Sequence, residues 1–170
     1  MQLHGKTLKP GDVLMTNSPH AGGSHLPDIT IISPVFDSDA KEIIFFTASR
    51  GHHADIGGIL PGSMPPTSTT IFEEGANVLS FKIVNNGVFD TKGLEEHMIE
   101  RPARYPGSSG CRNIRDVESD LKAVRPCPFR LRVASSTDFV YTTASCGKLQ
   151  GRPAHPAEYI LVLHLPLTVG

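Results

Sequence analysis

The sequence predicts an α+β fold of short, mainly antiparallel strands and Gly/Pro-rich loops, followed by two helices and an irregular C-terminal tail. Three observations lead there. In the first half of the chain, apolar runs of strand length alternate with clusters drawn from the 16 glycines and 14 prolines, the punctuation expected of strands and loops. Two segments of helical length follow, Thr91–Pro102 and Asn113–Ala123. From Val124 the character changes, with five basic and two acidic residues, scattered prolines and no sustained period. The chain therefore divides into a domain over 1–123 and a divergent, poorly ordered tail over 124–170, expected to make few contacts with the rest.

Taken in order, Gly11–Asn17 (GDVLMTN) reads as a first strand and Ser18–Asp28 as a loop, with Gly22-Gly23 free to take positive φ. Ile29–Phe36 and Ile43–Arg50 are the next strands, joined by the polar turn Asp37–Glu42. Pro34 has no N–H for a ladder, so its strand is expected to be bulged or at an edge. Gly51–Thr69 is a long loop dense in Gly and Pro, a length usually associated with function or disorder. Asn86-Gly87 in FKIVNNGVF marks a hairpin. Thr91 is positioned to cap the first helix and Pro102 to stop it.

Bulk properties exclude several classes. A net charge of −1, no tryptophan and few aromatics give no basis for a nucleic-acid or anionic-membrane partner. Three cysteines without a CxxC pair suit a reducing compartment. No cationic and apolar leader is visible at the start, and the apolar stretch Tyr159–Val169 is too short to span a bilayer. The expectation is a soluble, cytosolic protein.

The eight histidines are unevenly used. SHLPDITIISPVF sets His25 and Asp28 just before the second strand, and RGHHADIGG sets His52 and Asp55 just after the third. If these strands pair across the turn, Ile29 falls opposite Arg50, and His25, Asp28, His52 and Asp55 converge on one rim. Two imidazoles with one or two carboxylates make a mixed N/O site suited to Zn, Mn or Fe, with room for water or substrate. The competing reading is that His and Asp here merely cap turns and bond backbone. His53 is a ligand, a neighbour of the ligands or polar filler; Arg50 holds an anionic substrate group or pairs with a loop carboxylate. His4, His20, His97, His155 and His164 have no convergent partner in the pattern. P-loop, GxSxG, HExxH and GxGxxG motifs are absent. Gly57-Gly58 and Gly62 offer only a weak case for backbone N–H groups facing an anion.

Three longer blocks, GDVLMTNSPHAGGSHLPDITIISPVF, FFTASRGHHADIGGILPGSMPP and EEGANVLSFKIV, resemble the hydantoinase B/oxoprolinase family. AGGSHLPD and SGCRNIRDVESDLKA are most similar to its eukaryotic ATP-dependent 5-oxoprolinase branch. The resemblance runs from Lys9 to Ala123, so 1–123 reads as a partial domain of that family. It implies a cyclic amide hydrolase that converts 5-oxo-L-proline to L-glutamate with ATP, in glutathione turnover. ATP would be bound by a hydantoinase A-type half, in the same chain or a separate subunit, and the intact protein would be a homo-oligomer. Relatives that carboxylate ketones carry a metal on HLPD and a downstream histidine. Carried over, the ligands are His25, Asp28 and His52 for a divalent Mn, Zn or Mg ion, with His53, Asp55 and Arg50 as supporting or substrate groups; no catalytic residue is assigned. Ser18 stands where many members have Asp, and VRPCPFRL follows Ala123 where the family continues with a long helix. The alternative is thus a non-catalytic remnant that acts only as a structural or docking piece for the ATP-binding half.

Overall fold

The computed structural model describes His4, residues 7–37, 39–62 and 64–123, and the backbone of Tyr159–Leu163. Six strands form one sheet: β1 (Val13–Thr16), β2 (Asp28–Phe36), β3 (Ile43–His52), β4 (Phe81–Asn85), β5 (Val88–Phe89) and β6 (Tyr159–Leu163). Their order is β5-β4-β1-β2-β3-β6, and every neighbouring pair is antiparallel. With helices after the first five strands, the fold is α+β as the sequence implies.

Period-two alternation decides which face is buried. Ile29 and Ile31 of β2 are 1% and 5% exposed, and Met15 of β1 pairs directly with Ile31. They join Leu26, Ile56, Ala76 and Val78 from loops and Leu94, Met98, Val117 and Leu121 from helices in a single core. Each buried Val, Leu, Ile or Met among them contributes about 1.5–3 kcal/mol. The opposite face of β2–β3 is apolar in its middle, where Ala48 faces Ile32 and Phe46 faces Pro34. It is polar at one end, where Arg50 faces Thr30 and His52 faces Asp28.

The β2–β3 register differs from expectation by one residue. Ile29 pairs with Gly51, not Arg50, because Phe36 pairs with Ile43 while Val35 pairs with Phe45. Ile44 is thus the extra residue of a bulge. Pro34 lies beside that bulge, in a strand that is interior to the sheet as a whole. Its missing N–H is tolerated because β1 pairs with β2 only at Thr30–Ile32, leaving Pro34 a strand neighbour on one side.

Asn86 and Gly87 take φ of 51° and 82°, the left-handed pair of a type I′ hairpin turn. A short helix the sequence reading did not assign, α1 (Ile71–Glu74), starts at Thr70; the Glu73 carboxylate accepts from the backbone N–H of Thr69 and Thr70. The helix after β5 is composite: α2 (Thr91–Glu95), a π turn (Glu96–Glu100) and α3 (Arg101–Ala103). Asp90, not Thr91, caps it by accepting from Gly93 N–H at 2.9 Å; the Thr91 hydroxyl donates to Glu118 at 2.7 Å. Pro102 sits inside the last turn. It has no N–H for the Met98 carbonyl, and Cys111 N–H takes that carbonyl at 2.9 Å. α4 (Ile114–Ala123) buries Val117 and Leu121, one turn apart.

The expected isolation of the tail fails for one pentapeptide. Tyr159–Leu163 pairs with β3 from Arg50↔Tyr159 to Phe46↔Leu163. The outer side of β3 offers unpaired backbone groups, and an apolar extended run is a natural complement. Residues 124–158 and 164–170 lie outside those described, and with them the rest of the expectation for the tail.

Candidate metal centre

The bulge creates the site. In an unbulged hairpin Asp28 would oppose Gly51, and its side chain and that of His52 would point to opposite faces. With the bulge, Asp28 pairs directly with His52. His25 reaches the same point from the preceding loop, through the turn in which Asp28 N–H donates to His25 O at 3.1 Å. The Asp28 carboxylate lies between the two imidazoles: Oδ2 is 3.0 Å from His25 Nδ1 and Oδ1 is 2.9 Å from His52 Nδ1. The rings stack with centroids 5.1 Å apart. The Ser24 hydroxyl donates to Asp28 Oδ2 at 2.5 Å.

Burial alone would raise the Asp28 carboxyl pKa. The Ser24 hydroxyl, the His52 hydrogen bond and the two imidazoles outweigh it, so the group is held below its ordinary value. The ligand set fits a divalent ion. One donor atom each from His25, Asp28 and His52 lies within 4.8 Å of the others. Metal bonds of about 2.0–2.2 Å need donors roughly 3–4 Å apart, within reach of small side-chain rotations. His52 is the most exposed of the three, at 44% of its side chain, leaving an approach from solvent.

The other candidates divide. Arg50 lies one ladder step from His52 on the same face, and its Nε donates to Thr30 Oγ1 at 2.9 Å. Its terminal nitrogens have no hydrogen-bond partner among the described residues. His53 turns inward and is 8% exposed. Burial pushes its pKa down, only partly opposed by Asp120, and His52 lowers it further. His53 N–H donates to Pro27 O at 2.9 Å, tying the end of β3 to the His25–Asp28 turn. Asp55 is not at the site, contrary to the four-residue rim expected. Its carboxylate accepts from Gly57 N–H and Arg112 N–H, each at 3.0 Å, and so braces the loop against the segment before α4. Gly57 N–H is spent on Asp55, and Gly62 N–H donates to Ala54 O at 2.8 Å, so neither faces an anion. The glycines serve backbone crossing instead: a Cβ on Gly57 would meet Cys111 N at 2.6 Å. His97 stacks on Phe81 at 4.3 Å and bonds Gly93 O at 2.8 Å, a structural role. Sequence reasoning missed Ser24 and Thr30, both of which fix site side chains.

Fold and site together define an antiparallel α+β protein with a two-histidine, one-carboxylate centre at the rim of a hairpin. Residues 1–127 match the family model for hydantoinase B/oxoprolinase, and the chain belongs to that family. It is 55% identical over 116 residues to a 5-oxoprolinase of Saccharomyces cerevisiae, which covers 68% of this chain and 9% of the relative. To 5-oxoprolinase 1 of Arabidopsis thaliana it is 52% identical over 122 residues, 70% of this chain and 9% of that one. The crystal structure of an ATP-dependent caprolactamase from Pseudomonas jessenii matches with a TM-score of 0.58 and 28% identity, over 72% of this chain and 19% of that one. The chain thus spans about 9% of the length of these curated relatives.

Proposed function

We propose that this chain carries the metal-binding and substrate-facing hairpin of an ATP-dependent 5-oxoprolinase, which opens 5-oxo-L-proline to L-glutamate. The observation that carries the reading is Asp28 set between His25 and His52, in a chain of the oxoprolinase family. His25, Asp28 and His52 hold the ion, with Mn, Zn and Mg as candidates. When bound, a divalent ion supplies polarisation of an amide carbonyl or a water of lowered pKa. Asp28 supplies the negative charge of the ligand set. Ser24 holds one of its oxygens, so the carboxylate stays oriented while the imidazoles adjust. Arg50 is held through Nε by Thr30, and its terminal nitrogens bind the substrate carboxylate as a two-pronged donor.

An unactivated lactam is a stable amide, and this sequence has no P-loop. ATP-dependent activation belongs to a hydantoinase A-type half, and opening of the activated ring follows in the B half. A cytosolic setting and a role in glutathione turnover accompany this reading. The test uses an intact relative with the same motifs and measures glutamate and phosphate in parallel. Alanine at the positions matching His25 or Asp28 should abolish glutamate formation while some ATP hydrolysis persists; full glutamate yield would defeat the reading. The 170-residue chain alone should leave 5-oxoproline intact.

The span of 9% of each relative favours a second reading for the chain by itself, a docking piece for the ATP-binding half. Assaying ATPase activity with 5-oxoproline, using a hydantoinase A partner with and without this chain, separates the two. Stimulation that needs Asp28 supports the first, and binding without stimulation supports the second.

A further inference from the structure

We infer that Asn17 is the positioning residue of the metal centre, its buried amide setting the backbone of the loop that carries His25 and Asp28. The inference rests on the metal reading above and deepens it. His25 lies in the loop between β1 and β2, not on a strand, so its placement depends on what holds that loop. Asn17 has 0% exposure. Its Nδ2 donates to Leu26 O at 2.7 Å and to Ala76 O at 2.8 Å, and its Oδ1 accepts from Val78 N–H at 2.7 Å.

Leu26 directly follows His25, and the bond to its carbonyl fixes the Leu26–Pro27 peptide plane, midway between His25 and Asp28. The next carbonyl, Pro27 O, accepts from His53 N–H at 2.9 Å, beside His52. Two successive carbonyls thus tie the His25–Asp28 turn to Asn17 on one side and to the His52 strand on the other. The Leu26 and Pro27 side chains are fully buried, which leaves His25 and Asp28 as the outward pair. Gly23 lets the loop close over this clamp, because a Cβ there would lie 2.7 Å from Asn17 O.

The requirement is specific to asparagine. Two carbonyls need donors and one N–H needs an acceptor, which also sets the amide orientation. Aspartate would face both carbonyls with oxygen, and alanine would leave three buried backbone groups unpaired. A metal centre tolerates displacement of its ligands by only about 0.5 Å, so a loop released at Leu26 binds an ion poorly even when the fold survives.

Asp12, at the other end of β1, provides the control. It too is buried, but it binds Lys82, Asn86 N–H and Lys9 N–H, away from the centre. The experiment is Zn2+ affinity by chelator competition on the 170-residue chain, for wild type, Asn17→Ala, Asn17→Ser and Asp12→Ala, with melting of each metal-free protein. All three variants should melt lower. Only the Asn17 variants should lose Zn2+ affinity, by about tenfold to a hundredfold per folded molecule, as for other groups that orient metal ligands. Wild-type affinity in a folded Asn17 variant, or an equal loss in Asp12→Ala, overturns the inference while leaving the metal reading intact. No Zn2+ bound by wild type defeats the metal reading itself, and this inference with it. If neither Asn17 variant folds, hydrogen exchange in wild type decides, since linkage is reciprocal. Zn2+ should then slow exchange of the Asn17 side-chain amide more than that of Asn86 N–H; equal slowing overturns the inference.

Discussion

Replacing Asp12 with alanine should be among the most damaging changes to stability that leave the metal centre untouched. The Asp12 side chain has 0% exposure and lies 2.8 Å from Lys82 Nζ, itself 22% exposed. It also accepts from Asn86 N–H at 2.8 Å and Lys9 N–H at 3.0 Å, holding the β4–β5 turn to the start of β1. Removing one partner of a buried pair costs about 3–5 kcal/mol. Lys82 keeps a route to water, so the low end, about 3 kcal/mol, applies, or roughly 10 °C in melting temperature for a domain of this size. Burial would raise the Asp12 carboxyl pKa, but Lys82 and the two backbone donors outweigh it and hold the value below normal. A group with a depressed folded pKa stabilises fully above its unfolded value of about 3.9 and loses that contribution as pH falls through the folded value. Urea midpoints of wild type and Asp12→Ala should therefore differ at neutral pH and converge below about pH 4. A neutral-pH difference under about 1 kcal/mol, or one that persists unchanged in acid, would refute the clamp.

Two further outcomes test the frame that carries the site. Deleting Ile44 removes the bulge without moving the register, because Phe36↔Ile43 and Val35↔Phe45 then become successive pairs and Asp28 stays opposite His52. Zn2+ binding should therefore survive the deletion, and its loss would show that the bulge sets the site by more than register. Gly58→Ala places a Cβ 2.6 Å from the carbonyls of Glu73 and Glu74. It should cost about 1–3 kcal/mol in urea unfolding; an unchanged midpoint would mean that this backbone crossing relaxes freely.

The strands were legible because apolar runs and Gly/Pro punctuation are local signals, as was the Asn86-Gly87 turn. The bulge was not, since nothing in IIFF marks Ile44 rather than a neighbour as the extra residue. That error moved Arg50 one place along the ladder, and at the expected register Asp28 and His52 would face opposite sides, so their meeting with His25 depends on the bulge. Asp55 was misread because its His-x-x-Asp spacing copies the first motif. The informative neighbour was Gly57, whose N–H two residues on captures an aspartate carboxylate in an Asx turn. α1 was readable from Thr70-x-x-Glu73, a capping pattern overlooked inside a long loop. Asn17 carried no local sign, because its three partners lie 9, 59 and 61 residues away. The YILVL run had strand character, but its pairing with β3 depends on which side of that strand is open, and tertiary structure alone decides that.

The most direct test of the central claim is equilibrium titration of the metal-free chain with Mn2+ and Zn2+, comparing wild type with Asp28→Ala. Asp28 touches both imidazoles, so its loss removes one ligand and the group that holds the other two together. The account predicts one ion bound per wild-type chain and no stoichiometric binding by Asp28→Ala, with both proteins folded by circular dichroism. A wild-type chain that binds neither ion, or an Asp28→Ala chain that binds as well as wild type, would contradict it.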